Sequence, residues 1–279
     1  MKPAYSNEHG DLFIWMRIGM KKTDTLFLLG LLFILEITVC SVSAVQAGSN
    51  PSVQTLKFTA QKYYWGREVR QNLPKALALY LMAAERGDTE AQFIVGGMYF
   101  QGIGTEKNQK EAFKWLYKAA INGESTPQSQ KLLGQAFLLG NVVPKNYTES
   151  IQWYQRASES GDHDAQNELA FFYYVGRGVP QNFKTSFKWF EKAAEGGLAV
   201  AQYNVGIMWY TGNGVEKQDL IQAYAWLSLA AANGHQDASA ASKYLETILS
   251  ASELKQAQHQ ATLLYDQINA RQTAKEEQR

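Results

Sequence analysis

The chain has 279 residues, 46% of them hydrophobic and 13% aromatic, with 27 Lys and Arg against 26 Asp and Glu for a net charge of +1. That balance leaves no basic excess to neutralise a nucleic-acid backbone or an anionic membrane, so nucleic acid is not an expected partner. One cysteine, Cys40, and four histidines argue against a disulfide framework, thiolate metal sites and most multi-histidine metal sites.

The first predicted element is an export signal. Residues 26–35 (LFLLGLLFIL) form an apolar run preceded by Lys21 and Lys22 and followed by the small-residue stretch from Ser41 to Ala47. Met20 opens a compact n-region, whereas residues 1–19 carry Glu8, His9 and Asp11 and resemble no targeting element, so Met20 is the expected start. Val45-Gln46-Ala47 fits a cleavage box, with Val42-Ser43-Ala44 as the alternative. A spanning helix needs about 18 apolar residues, and Glu36 interrupts the run. Val39 before Cys40 does not fit a lipoprotein box. The expected product is periplasmic or secreted, with a retained inner-membrane anchor as the alternative.

Self-similarity begins near residue 48. A step of 36 carries Gly66 to Gly102, Ala76 to Ala112 and Gly87 to Gly123. A step of 38 then carries Trp115 to Trp153, two residues being absorbed around Ser125-Thr126-Pro127. The step returns to 36 for Trp153 to Trp189, and one further insertion puts Trp226 and Gly234 at 37. The boundaries are a leading partial repeat at 48–87, four repeats at 88–123, 124–161, 162–197 and 198–234, capping helices at 235–271 and a charged tail at 272–279.

Each repeat predicts two helices. In the first, over residues 90–101, Ala91, Val95, Met98 and Tyr99 share one face. A Gly-x-Gly turn follows (Gly102 and Gly104, Gly176 and Gly178, Gly212 and Gly214), with Glu68 and Val142 replacing the second glycine in two repeats. The second helix starts at Asn72, Asn108, Asn146 or Asn182, and Glu111 and Glu149 lie where a capping box would return a hydrogen bond. It presents Ala112, Trp115, Leu116, Ala119 and Ala120 on one stripe. One pair cannot bury such a stripe alone, which requires stacking. As one of the large knobs, Trp189 is expected to cost about 3–5 kcal/mol when replaced by Ala. After Gly234, Ala238 to Leu249 reads as one amphipathic helix, and Ser250 with Glu253 opens another through about Ala270.

The pattern resembles the Sel-one-like repeat family, relatives of the tetratricopeptide repeats. It is carried here by Ala165-Gln166, Leu169-Ala170, Tyr173, Gly176 and Gly178, then by Phe187, Trp189, Lys192-Ala193-Ala194 and Gly197. Ser129, Ser186 and Ala157-Ser158 depart from it without breaking the packing. The expected fold is all-α, a right-handed superhelical α-solenoid of stacked helix-turn-helix repeats with a C-terminal capping helix pair. The resemblance implies a non-enzymatic adaptor in complex assembly, sometimes in envelope maintenance or host contact.

Ser252-Glu-Leu-Lys255 matches the Ser-x-x-Lys of penicillin-recognising enzymes, but no Ser-Asp-Asn or Lys-Thr-Gly accompanies it, and Ser252 lies in a capping segment. No catalytic residue, cofactor or metal ligand is assigned. Asp162, His163 and Asp164 read as turn and N-cap residues, and Asn146 to Thr148, which matches a glycosylation sequon, reads as a cap. The candidate partner-binding residues are Glu168, Phe171, Tyr174, Asn204, Ile207 and Tyr210, off the buried stripe of two successive first helices. Simple packing against the neighbouring first helices is the competing explanation. The expected partner is a protein or peptide of the cell envelope. A peptidoglycan- or β-lactam-directed role, with a glycan as ligand, is the alternative.

Overall fold

The computed structural model describes residues 50–277, so the export signal, its cleavage boxes and Cys40 lie outside the described residues. Among the described residues the regular structure is helical. The order is α1 (Val53–Trp65), α2 (Leu73–Glu85), α3 (Thr89–Gln101), α4 (Gln109–Ile121), α5 (Pro127–Leu139), α6 (Tyr147–Glu159), α7 (His163–Val175), α8 (Phe183–Glu195), α9 (Ala199–Thr211), α10 (Leu220–Ala232), α11 (Gln236–Ile248) and α12 (Ala251–Glu277). Odd-numbered helices through α11 are first helices of a repeat, and even-numbered ones through α10 are second helices. The chain forms two compact bodies, an N-terminal one ending at Glu124 and a C-terminal one beginning at Ser125.

Helix ends follow the local chemistry. Asn72, Asn108, Asn146 and Asn182 each accept a backbone N–H from the first turn of their second helix, and Asp219 does the same for α10. The reciprocal half expected of Glu111 is not made: its carboxylate accepts from Lys114 at 3.0 Å, because a lysine one turn on offers a charged donor. A reciprocal box does form at Ser250 and Glu253, where Glu253 Oε2 accepts from the Ser250 amide at 2.9 Å. Thr126 and Ser129 form another, which is how a serine is accommodated where the pattern has alanine.

Repeat cohesion rests on a buried glutamine that the apolar pattern did not single out. At the fourth residue of α3, α7 and α9, Gln92, Gln166 and Gln202 donate Nε2 to the carbonyls of Ala84, Ser158 and Ala194 at 3.0–3.1 Å. These carbonyls close the preceding second helix, where each also accepts from the amide of the turn glycine that follows, Gly87, Gly161 or Gly197. Gln202 Oε1 in turn accepts from Asn233 at 2.8 Å, fixing the amide's orientation. Gln202→Leu keeps the volume but removes the side-chain donor from the Ala194 carbonyl, which keeps the Gly197 N–H, and leaves the exposed Asn233 amide to water. It is expected to cost about 1 kcal/mol, measured as a lower urea midpoint.

The N-terminal body packs Leu56, Leu77, Tyr80, Val95, Met98 and Trp115 between α1 and α4. In the C-terminal body, Ile151, Tyr154, Leu169 and Phe172 join α6 to α7. Phe187, Phe190, Val205, Met208, Trp226 and Leu229 join α8, α9 and α10. Trp115, Trp153 and Trp226 are buried, whereas Trp189 is only partly so, with Lys192 Nζ 4.2 Å from its ring centroid. Its replacement therefore costs less than full burial would imply.

The closing helix runs to Glu277 rather than to about Ala270, and it does more than end the stack. α12 lies along α10, inserts Ile268 into the α8–α10 core and reaches back to α8, where Arg271 pairs with Glu195 at 2.8 Å and Gln272 donates to the Gly196 carbonyl at 3.4 Å. The register of the repeat explains why. Lys184, Lys188 and Lys192 line an exposed edge of α8, and the same positions of α10, 37 residues on, hold Ile221, Ala225 and Leu229. The edge is apolar where α12 covers it and cationic where water does.

Candidate binding face

In the C-terminal body the first helices α5, α7, α9 and α11 lie side by side. Lys131 of α5 bridges to Asp162 at 3.3 Å and Asp164 at 2.6 Å, at the start of α7. Asn204 of α9 donates to Asn167 of α7 at 3.3 Å. Tyr203 of α9 stacks on His235, the residue before α11, with centroids 4.4 Å apart, and Tyr210 meets Tyr244 edge-on at 6.4 Å. Lys57 makes the same connection in the N-terminal body, to Asp88 at 3.2 Å and to Glu90. The fifth residue of a first helix thus reaches the N-cap of the next one in both bodies. Asp162 has the capping role expected of it, accepting from the Ala165 amide at 2.8 Å.

The six candidate residues fall into two groups. Tyr174 packs edge-on against Phe183 at 5.2 Å, Ile207 and Tyr210 pack onto the α10–α11 core, and Asn204 is held by Asn167. These four act largely between neighbouring helices. Glu168 and Phe171 face outward, Glu168 half-buried and Phe171 exposed. Phe171 belongs to a wider band that sequence reasoning missed: Leu139, Phe171, Val175, Tyr244 and Ile248 are each 39–54% exposed. All five sit at the ninth or thirteenth residue of a first helix, four residues apart on one helical face. The signal for the thirteenth position was present, as the apolar residue directly before the turn glycine at Leu139 and Val175.

Burial holds the Glu168 carboxyl above the usual carboxylate range, Asp164 adds repulsion, and Lys131 offsets part of the rise. A carboxyl that keeps its proton longer in the folded chain than in the unfolded one makes stability fall as pH rises through and above the ordinary glutamate range. Below that range both states are protonated and the cost vanishes. Glu168→Gln is therefore expected to raise the thermal midpoint at neutral pH, with the difference fading below about pH 4. An unchanged difference across that range would mean the carboxyl is not desolvated.

Ser252 is exposed in the first turn of α12, beside the Ser250–Glu253 cap. Among the described residues there is no cluster of three His, Cys, Asp or Glu side chains able to hold a metal, and no helix long and apolar enough to cross a membrane.

A profile of the Sel1 repeat matches residues 60–88, 89–124, 127–162, 163–198 and 199–235. The chain belongs to the Sel1 repeat family. Its fold is similar to that of a Sel1 repeat protein from Oxalobacter formigenes, with 32% identity over 67% of this chain and 76% of that one and a TM-score of 0.56. It is also similar to c5321, a protective antigen of uropathogenic Escherichia coli strains with an SLR fold, at 25% identity, 81% and 56% coverage and a TM-score of 0.52. A putative Sel1-like repeat-containing protein of Acanthamoeba polyphaga mimivirus, L18, shares 49% identity over 39 residues, 14% of this chain, and the chain spans only 7% of that protein's length. The Sel1 array is thus an α-solenoid scaffold, of a kind that generally serves protein–protein interaction and is generally non-catalytic.

Proposed function

We propose that the protein is an exported, non-enzymatic adaptor that binds a partner protein of the bacterial cell envelope on the first-helix face of its C-terminal body. The observation that carries this reading is the band of half-exposed apolar side chains repeated on α5, α7 and α11. Three of the four first helices of this body expose aromatic or aliphatic side chains at equivalent positions, α9 between them carrying Ile207 and Thr211 there, and exposed apolar patches mark interaction sites. Export rests on the apolar run at residues 26–35 and the small residues after it.

Photo-crosslinking in the native cell tests both parts. A probe at Phe171 is better placed than one at Tyr174, which packs on Phe183. The expected result is a discrete adduct from Phe171 and none from the exposed Lys184 on α8. The intact mass of the same preparation is expected to correspond to a chain beginning at Gly48, or at Val45 if the earlier box is used. Diffuse background from both probes would remove the adaptor reading. A mass retaining residues 26–40 would replace export with inner-membrane anchoring.

A further inference from the structure

Along α7 the outward residues are Asp164, Glu168, Phe171 and Val175, spaced 4, 3 and 4 and therefore on one helical face. The N-terminal half of that face is acidic and the C-terminal half apolar. α11 repeats the arrangement with Asp237, Tyr244 and Ile248. On α7 and α11 an acidic margin thus lies beside the apolar band.

The acids at the helix starts have ordinary explanations. Asp162 is the N-cap of α7, and Asp164 and Asp237 lie in first turns, where the helix dipole favours negative charge. Glu168 is the sixth residue of α7, beyond the reach of that effect, and it is half-buried. The charge count around it is unbalanced. Asp162, Asp164 and Glu168 make three carboxylates, against the ammonium of Lys131, and Lys131 is already shared between Asp162 and Asp164. Burial holds the Glu168 proton more tightly than usual, as a carboxylate short of cations requires.

We infer that this face takes an amphipathic segment of a partner protein whose polar edge is basic. Its Lys or Arg side chains lie over Glu168 and the neighbouring aspartates, and its apolar side chains lie on the band from Leu139 to Ile248. The inference rests on the adaptor reading and adds the chemistry of the partner. Charge complementarity selects the occupant: an acidic segment would bring more negative charge to a margin already in excess, and a neutral glycan would leave Glu168 uncompensated. Three intervals of roughly 9 Å between adjacent helices make a face about 27 Å wide, which about eight extended residues can cross.

The test uses the purified protein and two fluorescent peptides of about ten residues with the same leucines, one with Lys and the other with Glu at every polar position. Fluorescence anisotropy is expected to show the Lys peptide binding at least about tenfold more tightly, with an affinity that falls as salt is added. Glu168→Gln is expected to weaken it about three- to tenfold and flatten the salt dependence, without lowering the thermal midpoint. Phe171→Ala is expected to weaken it at every salt concentration. Glu159→Gln, on the exposed end of α6, is the control and leaves binding unchanged. Equal affinity for the two peptides, or a Glu168→Gln protein that binds the Lys peptide as the parent does, would overturn the inference. Crosslinking from Phe171 separates its failure from that of the adaptor reading. Capture of an acidic or neutral segment, or of a second copy of this chain, overturns the basic-segment inference while leaving a protein-binding face; no adduct together with no peptide binding removes both.

Discussion

Gly214→Ala is expected to lower stability by about 2–5 kcal/mol, and Gly234→Ala by only about 1–2 kcal/mol, although both glycines sit in the left-handed region at φ 80° and 89°. The difference lies in what a methyl group would meet. At Gly234 nothing lies within 4 Å, so the cost is the backbone conformation alone. At Gly214 a Cβ would fall 2.7 Å from the Phe183 carbonyl carbon and closer still to its oxygen. These are main-chain atoms at the start of α8, which cannot swing aside as a side chain would. The second glycine of the turn is thus a stacking residue: it lets one repeat's turn rest on the start of the preceding repeat's second helix. Gly104 sits against Leu73 and Pro74 in the same way. Urea unfolding of the two variants followed by circular dichroism would settle the comparison. Equal losses would show that the approach to Phe183 is not the constraint.

This also accounts for Glu68. It stands where later turns have the second glycine and takes a φ of 63°, yet no second helix precedes α1 among the described residues, so only the conformational cost applies. At Val142 the backbone stays out of the left-handed region, and that turn is built differently.

Trp226→Ala is expected to cost about 3–5 kcal/mol. The ring is buried in the cluster formed by Phe187, Phe190, Val205, Met208 and Ile268, so its removal opens a cavity among helices that already interdigitate. Ile268 belongs to α12, and the variant should loosen that helix as well as lower the unfolding midpoint. Proteolysis within α12, after Arg271, is the second readout. Trp189→Ala, in contrast, should cost roughly 1–2 kcal/mol less, because part of its ring faces solvent beneath Lys192. A Trp226 variant no less stable than the Trp189 variant, with α12 equally resistant, would mean that α12 is held by its polar contacts to α8 instead of by the core.

Local rules were enough to read each repeat. The spacing of Ala91, Val95 and Met98 marks a buried stripe, and all three are buried. The Asn caps and the glycines that end the first helices follow from the orphan groups of helix termini and from the ease with which glycine turns left-handed. Even the lysine edge of α8 and its apolar counterpart on α10 are visible as a change of residue type at fixed positions. Periodicity and capping depend on neighbours within a few residues, which is why one sequence suffices for them.

The candidate face was only half legible. Sequence spacing placed Phe171, Tyr174, Ile207 and Tyr210 together as candidates. Exposure is decided by what the adjacent helix brings: Phe183 lies against Tyr174, and Tyr244 meets the edge of Tyr210. The excess charge at Glu168 is a tertiary property too, since Lys131, the cation that offsets it, comes from α5 and is already committed to Asp162 and Asp164. Local periodicity sets the repeat, its helices and their buried stripes, so one chain's residues were enough to read them. Which outward residues stay exposed, and which glycine no other residue can replace, were decided by the packing of helices, because both depend on atoms of other helices, nine residues along the chain for Tyr174 and about thirty for Tyr210 and Gly214.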